Sequence, residues 1–99
     1  MDHIGFVTID GEELSIHVAK YSADNSPAIE LMAEDGPYAR FTVCIEDSNL
    51  APGELLVKTW NENEALREPM LGTGLFEDTG RRVTSGYVSA EVWRFRNAA

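Results

Sequence analysis

The chain has 99 residues, 43% of them hydrophobic, and a net charge of -9 from 17 acidic and 8 basic side chains. That length suits one domain, residues 1–99, with one core, and the charge disfavours direct nucleic-acid binding because a polyanion is repelled before any contact forms. The apolar runs, such as residues 55–57, fall far short of the roughly 20 residues of a membrane span, and the start lacks a basic region followed by an apolar one. A single cysteine, Cys44, forms no internal disulfide, so the expectation is a soluble, cytoplasmic protein with no membrane contact.

In chain order, Asp10 and Gly11 form a two-residue turn between apolar-rich segments, which predicts a β-hairpin. Its register sets Val7 opposite Leu14 and Gly5 opposite Ile16 on one face, with Ile9 and Val18. Ile4 and Phe6 fall on the other face with Ser15 and His17. A second hairpin follows from Ile29, Leu31 and Ala33 on one side and Phe41, Val43 and Ile45 on the other. For these two rows to share a face, the loop around Asp35, Gly36 and Pro37 must hold an odd number of residues, three or five. Pro52 and Gly53 then make a turn, and residues 55–60 a fifth strand.

Asn61 has the chemistry of a helix N-cap and Glu64 that of its capping-box partner. Ala65, Leu66 and Met70 form a narrow apolar stripe at helical spacing. Pro69 either kinks this helix or restarts it as a first-turn residue, and Gly72 and Gly74 end it. Residues 72–82 read as a glycine-punctuated loop closing on Arg81 and Arg82, and a last strand covers residues 87–95. The resulting fold class is α+β, a mostly antiparallel five- to six-stranded sheet with one short Pro-interrupted helix packed on one face. The face with Ile4, Phe6 and Tyr21 needs cover from the C-terminal segment, a second subunit or a partner.

Chemistry finds little purchase. His3 and His17 fall on opposite faces of the first hairpin in this register, and neither has a close His or Cys neighbour, so no metal and no cofactor is expected. Cys44 reads as a packing residue within a strand, and Glu62 and Glu68 as solvated helix-surface carboxylates, leaving no catalytic residues. The stretch "LGTGLFEDTGRR" has glycines beside arginines, yet it lacks the pattern of a phosphate-binding loop. Arg81 and Arg82 are candidates for an anion or partner contact, or for pairing with Glu77 or Asp78.

The order of features "PGE", "VKTW", "NE", "TGR" and "SGYV" in residues 39–95 resembles that of a family of small bacterial proteins, a domain of unknown function carried by conjugative plasmids, integrative elements and phages. The resemblance implies a mobile-element setting and supplies no catalytic residues. In that setting the expected function is a non-enzymatic, acidic binding protein that inhibits a host nucleic-acid-dependent defence system, as an anti-CRISPR does. Its partner is a protein with a basic surface, such as a nucleic-acid-binding enzyme. The contact residues are Glu30, Glu34, Glu46, Glu62 and Glu64, with Trp60 as an aromatic anchor. The alternatives are a mobile-element accessory protein, including one that dimerises through the face with Ile4 and Phe6, and an enzyme with an unrecognised site. An acidic surface also serves solubility alone.

Overall fold

The structure is a computed structural model that describes residues 2–45 and 48–96, with Glu62 described by its backbone only. Among the described residues seven strands form two antiparallel sheets: β1 (Asp2–Ile9), β2 (Glu12–Lys20), β3 (Pro27–Ala33) and β4 (Gly36–Arg40) in the order β1-β2-β3-β4, and β5 (Glu54–Val57), β6 (Phe76–Ser85) and β7 (Val88–Phe95) in the order β5-β7-β6. A 3-10 helix, Asn61–Leu66, runs into the short helix α1, Arg67–Gly72. The α+β class and the mostly antiparallel pairing agree with the sequence. The single five- to six-stranded sheet does not, because residues 41–45 leave the first sheet and cross to the second.

The first hairpin has the expected turn, with Asp10 at φ 51° and Gly11 at φ 82°, and Val7 opposite Leu14 and Gly5 opposite Ile16. Ahead of Gly5 the register slips, and Ile4 becomes the extra residue of a bulge. A one-residue slip sends every earlier side chain to the opposite face. Ile4 therefore packs against the core instead of sharing a face with Phe6, and His3 comes to lie opposite His17.

The second hairpin meets its parity requirement by another route. The turn itself is only Glu34 and Asp35, between paired Ala33 and Gly36, and a bulge at Tyr38 supplies the odd residue that sets Ala39 opposite Leu31. Beyond Arg40 the chain changes sheets. Phe41 stays in the core and donates its backbone N–H to the Ile29 carbonyl at 2.9 Å, and Thr42 bridges to Val57 of β5. Val43 and Ile45 do not extend the row of Phe41; they pack with Leu50, Trp60 and Val83 over Leu56, Ala90 and Val92 on the outer face of the second sheet.

The main core lies where the inner faces meet: Leu14, Ile16, Ile29, Leu31 and Phe41 from the first sheet side, Leu55, Val57, Phe76 and Trp93 from the second, and Leu66 and Met70 from the helical segment. Because β5 is covered on both faces, residues 55–57 read as an unbroken apolar run rather than an alternating one, whereas β7, also buried on both faces, carries Glu91 within its buried stretch. Leu55, Leu56 and Val57 are all buried, as are Ala90, Val92 and Trp93.

The helical segment needs correction in its caps. Asn61 sits at φ 56° inside the 3-10 helix, the N-cap is Trp60, and no side-chain cap bond forms, so the capping box with Glu64 is absent. Ala65 is exposed, which leaves Leu66 and Met70 as the buried stripe. Pro69 falls in the first turn of α1, the position where a missing N–H costs least.

The largest departure is β6. Residues 76–85, read as part of a loop and a turn, form an edge strand with a bulge between Asp78 and Arg81. Gly80 at φ 85° makes that bulge, with its N–H donated to Asp78 Oδ1 at 2.9 Å, while the Thr79 hydroxyl donates to the Val92 carbonyl at 2.7 Å. Gly80→Ala is expected to cost about 1 kcal/mol, since an L side chain is strained at that φ. Chemical denaturation measures it; an unchanged midpoint would mean that the segment is the loop first expected.

Candidate functional site

Two places concentrate polar chemistry. The first surrounds Glu91, whose carboxylate is 9% exposed. Pairing of β6 with β7 sets Arg82 opposite Glu91, and α1 brings Arg67 in from above the same face. Arg67 Nε donates to both carboxylate oxygens at 2.9 and 3.1 Å, Thr59 Oγ1 donates to Oε2 at 2.9 Å, and Trp93 Nε1 donates to Oε1 at 3.1 Å. Arg67 Nη2 also binds Asp78 at 2.8 Å, and Arg82 approaches Asp78 at 3.3 Å and Glu91 at 3.7 Å.

Burial pushes the Glu91 carboxyl up, but the hydrogen bonds from Arg67, Trp93 and Thr59 outweigh it and hold the group at about 2. A carboxylate with that affinity for protons is a poor general base at neutral pH and no acid at all. Arg67 and Arg82 face Asp78 and Glu91, with the exposed Glu68 3.6 Å from Arg67 at the edge, and the hydrogen bonds to Glu91 all come from donors within the fold. The centre braces α1 and residue 59 onto β7. Sequence reasoning overlooked it because Arg67 and Glu91 lie far apart in the chain and each reads alone as a surface charge.

The second place is the outer face of the first sheet. Phe6, Ser15 and Met32 lie in one row across β1, β2 and β3, and His3, His17, Glu30 and Arg40 in the next. Phe6 is 54% exposed although it stands mid-strand. A hollow of about 430 Å³ is lined by Phe6, Ser15, Met32 and Ala33 together with Glu12, Glu13 and Glu34, and no Lys or Arg lines it. Apolar surface ringed by carboxylates is suited to the long stems and charged heads of lysine or arginine.

The residues singled out in the sequence are spread over several elements. Glu34 borders the hollow, and Glu30 is engaged by Arg40 of β4. Trp60 is half-buried against Leu56, Ala90 and Val92, and Glu64 is exposed on the 3-10 helix. Glu46 and the side chain of Glu62 lie outside the described residues. Arg81 pairs with Glu54, Arg82 with Asp78 as expected, and Glu77 with Arg94. Glu12 and Glu13, which the sequence reading did not single out, join Glu34 only because the strands place them side by side.

A larger cleft of about 680 Å³ opens between the β2–β3 turn and residues 48–54, with Lys20, Asp24, Glu54 and Phe95 on its walls. Its acidic groups are already engaged: Asp24 accepts from the Ser26 hydroxyl and N–H, and Glu54 from Arg81 and the Ala51 N–H. Among the described residues no helix is long and apolar enough to cross a membrane. Comparison with models of protein families, with curated proteins and with solved structures finds no match to this chain.

Proposed function

We propose that this is a small non-enzymatic binding protein of a mobile genetic element that inhibits a host nucleic-acid-dependent defence enzyme, such as a CRISPR effector, by laying an acidic face on its basic nucleic-acid-binding surface. The observation that carries this reading is the hollow around Phe6, rimmed by Glu12, Glu13 and Glu34 with no cation among its lining residues. Aliphatic stems of lysine or arginine cover Phe6 and Met32 while their heads meet the carboxylates, and the excess negative charge steers the encounter. The mobile-element setting rests on the resemblance over residues 39–95.

A second copy of the chain suits the same face less well. A two-fold dimer sets one patch against itself, so the carboxylates of Glu12, Glu13 and Glu34 would face the same acidic rim on the second copy. Like charges brought together at an interface cost affinity, which favours a basic partner over the dimerising accessory.

The test is a panel of purified CRISPR effectors, with binding of their target nucleic acid followed by fluorescence. Inhibition is expected for at least one, weakening as salt rises, since the screening length is about 10 Å at 0.1 M. Glu13→Lys combined with Glu34→Lys is expected to weaken inhibition at least ten-fold while stability stays within about 0.5 kcal/mol, as for exposed positions. Equal inhibition by the charge-reversed variant would remove this face from the mechanism, and inhibition of none would remove the defence target.

A further inference from the structure

The bulge at Ile4 brings His3 directly opposite His17, with ring centres 5.2 Å apart and planes inclined at 40°. The geometry points to a surface site for a divalent transition-metal ion, Zn²⁺ above all, held by these two imidazoles. Two histidines on one tetrahedral zinc, with Zn–N bonds of roughly 2.0–2.1 Å, place their ring centres about 5 Å apart. The separation in the protein already has that size. The sequence expectation of no metal rested on the unbroken register and on the lack of a close His or Cys spacing, and the bulge removes the first of these grounds.

A second observation concerns the tautomer of His17. Ser15 Oγ lies 2.9 Å from His17 Nε2 and 3.3 Å from the Met32 carbonyl, so with the hydroxyl turned to that carbonyl its oxygen is placed to accept Nε2–H from the tautomer that a metal would select. The ring lone pair of His17 is then on Nδ1, and a donated N–H from the other nitrogen is the outer-shell arrangement that zinc-binding histidines use. The edge contact between His3 and Phe6, with ring centres 4.6 Å apart, restricts the second imidazole.

No third His, Cys, Asp or Glu converges on the pair among the described residues. Glu30 is the strand partner of His17 on its far side, but Arg40 engages it. The remaining ligand positions therefore belong to water or to a partner's side chain. Two imidazoles favour zinc, nickel or copper over magnesium and calcium, which prefer all-oxygen shells.

Calorimetric titration of Zn²⁺ into the full chain, carrying a few added residues ahead of Met1 so that the terminal amine is remote, tests the site. One ion per chain is expected, with no competition from millimolar Mg²⁺. His3→Ala and His17→Ala should each weaken binding at least ten-fold, and Ser15→Ala several-fold. Zinc should raise the melting temperature of the parent chain and leave that of His3→Ala unmoved. His3 is exposed, so its replacement keeps the test valid even where His17→Ala lowers stability. Undiminished Zn²⁺ binding by His3→Ala, or competition by Mg²⁺, would assign the ion to surface carboxylates and overturn the proposal.

Discussion

Trp93→Ala is expected to lower stability by about 3–5 kcal/mol, the usual range for deleting a buried large aromatic. Trp93 is fully buried, packs edge-on against Phe41 with ring centres 5.2 Å apart, and meets Phe76 at 6.1 Å. It therefore joins the crossing segment, β6 and β7 at one point, where no neighbour can collapse into the space without disturbing two other elements. Its loss also removes the indole N–H from Glu91, and a buried carboxylate deprived of a donor adds its own cost. A small domain has only about 5–15 kcal/mol in total. The variant should be partly unfolded at growth temperature, and urea denaturation compared with Trp93→Phe measures the effect. Trp93→Phe keeps most of the packing and loses the N–H; if both variants melted like the parent chain, the core described here would be wrong.

The second large effect is acid sensitivity carried by Glu91. Its carboxyl lies at about 2 in the folded chain against an ordinary 4.5. The lowered value stabilises the folded state above pH 4.5, and that contribution disappears as pH falls from about 4.5 to about 2. At about 1.4 kcal/mol for each pH unit of difference, the contribution is on the order of 3 kcal/mol. Glu54 and Asp24 are also held below the carboxylate range, Glu54 first by Arg81 and Asp24 first by Ser26. Asp24 is exposed, and the Arg81 that holds Glu54 is itself half in solvent, so water screens most of either effect. Glu91→Gln should start less stable at neutral pH, because Arg67 loses its charged partner, and should then lose much less between pH 4.5 and 2. Parallel acid curves for the parent and Glu91→Gln, measured by chemical denaturation, would show that the carboxylate does not govern this range.

What the sequence made legible was local. The Asp10-Gly11 turn and the pairs Val7–Leu14 and Gly5–Ile16 came straight from turn chemistry and alternation, and they hold. Of the two readings left open for Pro69, a kink or a restart, the structure has the restart, with Pro69 in the first turn of α1. The failures of register share one cause, extra residues in strands. The bulges at Ile4 and at Thr79-Gly80 each shift a register after alternation has set it, whereas the one at Tyr38 supplies the odd residue that alternation required. In β6 the charged run Glu77-Asp78 and Arg81-Arg82 has low strand propensity, and its pairing is set by β7 and by the ion pairs across it, not by its own composition. Asn61 has the composition of a cap but sits in a left-handed conformation one residue inside the 3-10 helix, so its chemistry served another purpose. Of the candidate site, Glu34 and Phe6 were visible as residues, while their company with Glu12, Glu13, Ser15 and Met32 is a product of sheet pairing. The Glu91 centre joins residues 59, 67, 78, 91 and 93, a set that no local pattern contains.

Thr42 has a consequence for how the molecule opens. It is 2% exposed, its hydroxyl oxygen accepts the Ile29 N–H at 3.0 Å and lies 3.0 Å from the Tyr21 hydroxyl, and its backbone bridges to Val57 in the other sheet. A strand of the four-stranded sheet cannot release that amide without also disturbing the residue that ties β5 in place. Amide protons on β3 and on β5 should therefore exchange with deuterium through the same opening event, at nearly the same free energy, instead of as two separately melting layers. A Thr42→Val chain, which keeps the shape and loses the acceptor, should uncouple them: the Ile29 amide would exchange early while the amides of β5 and β7 keep their protection.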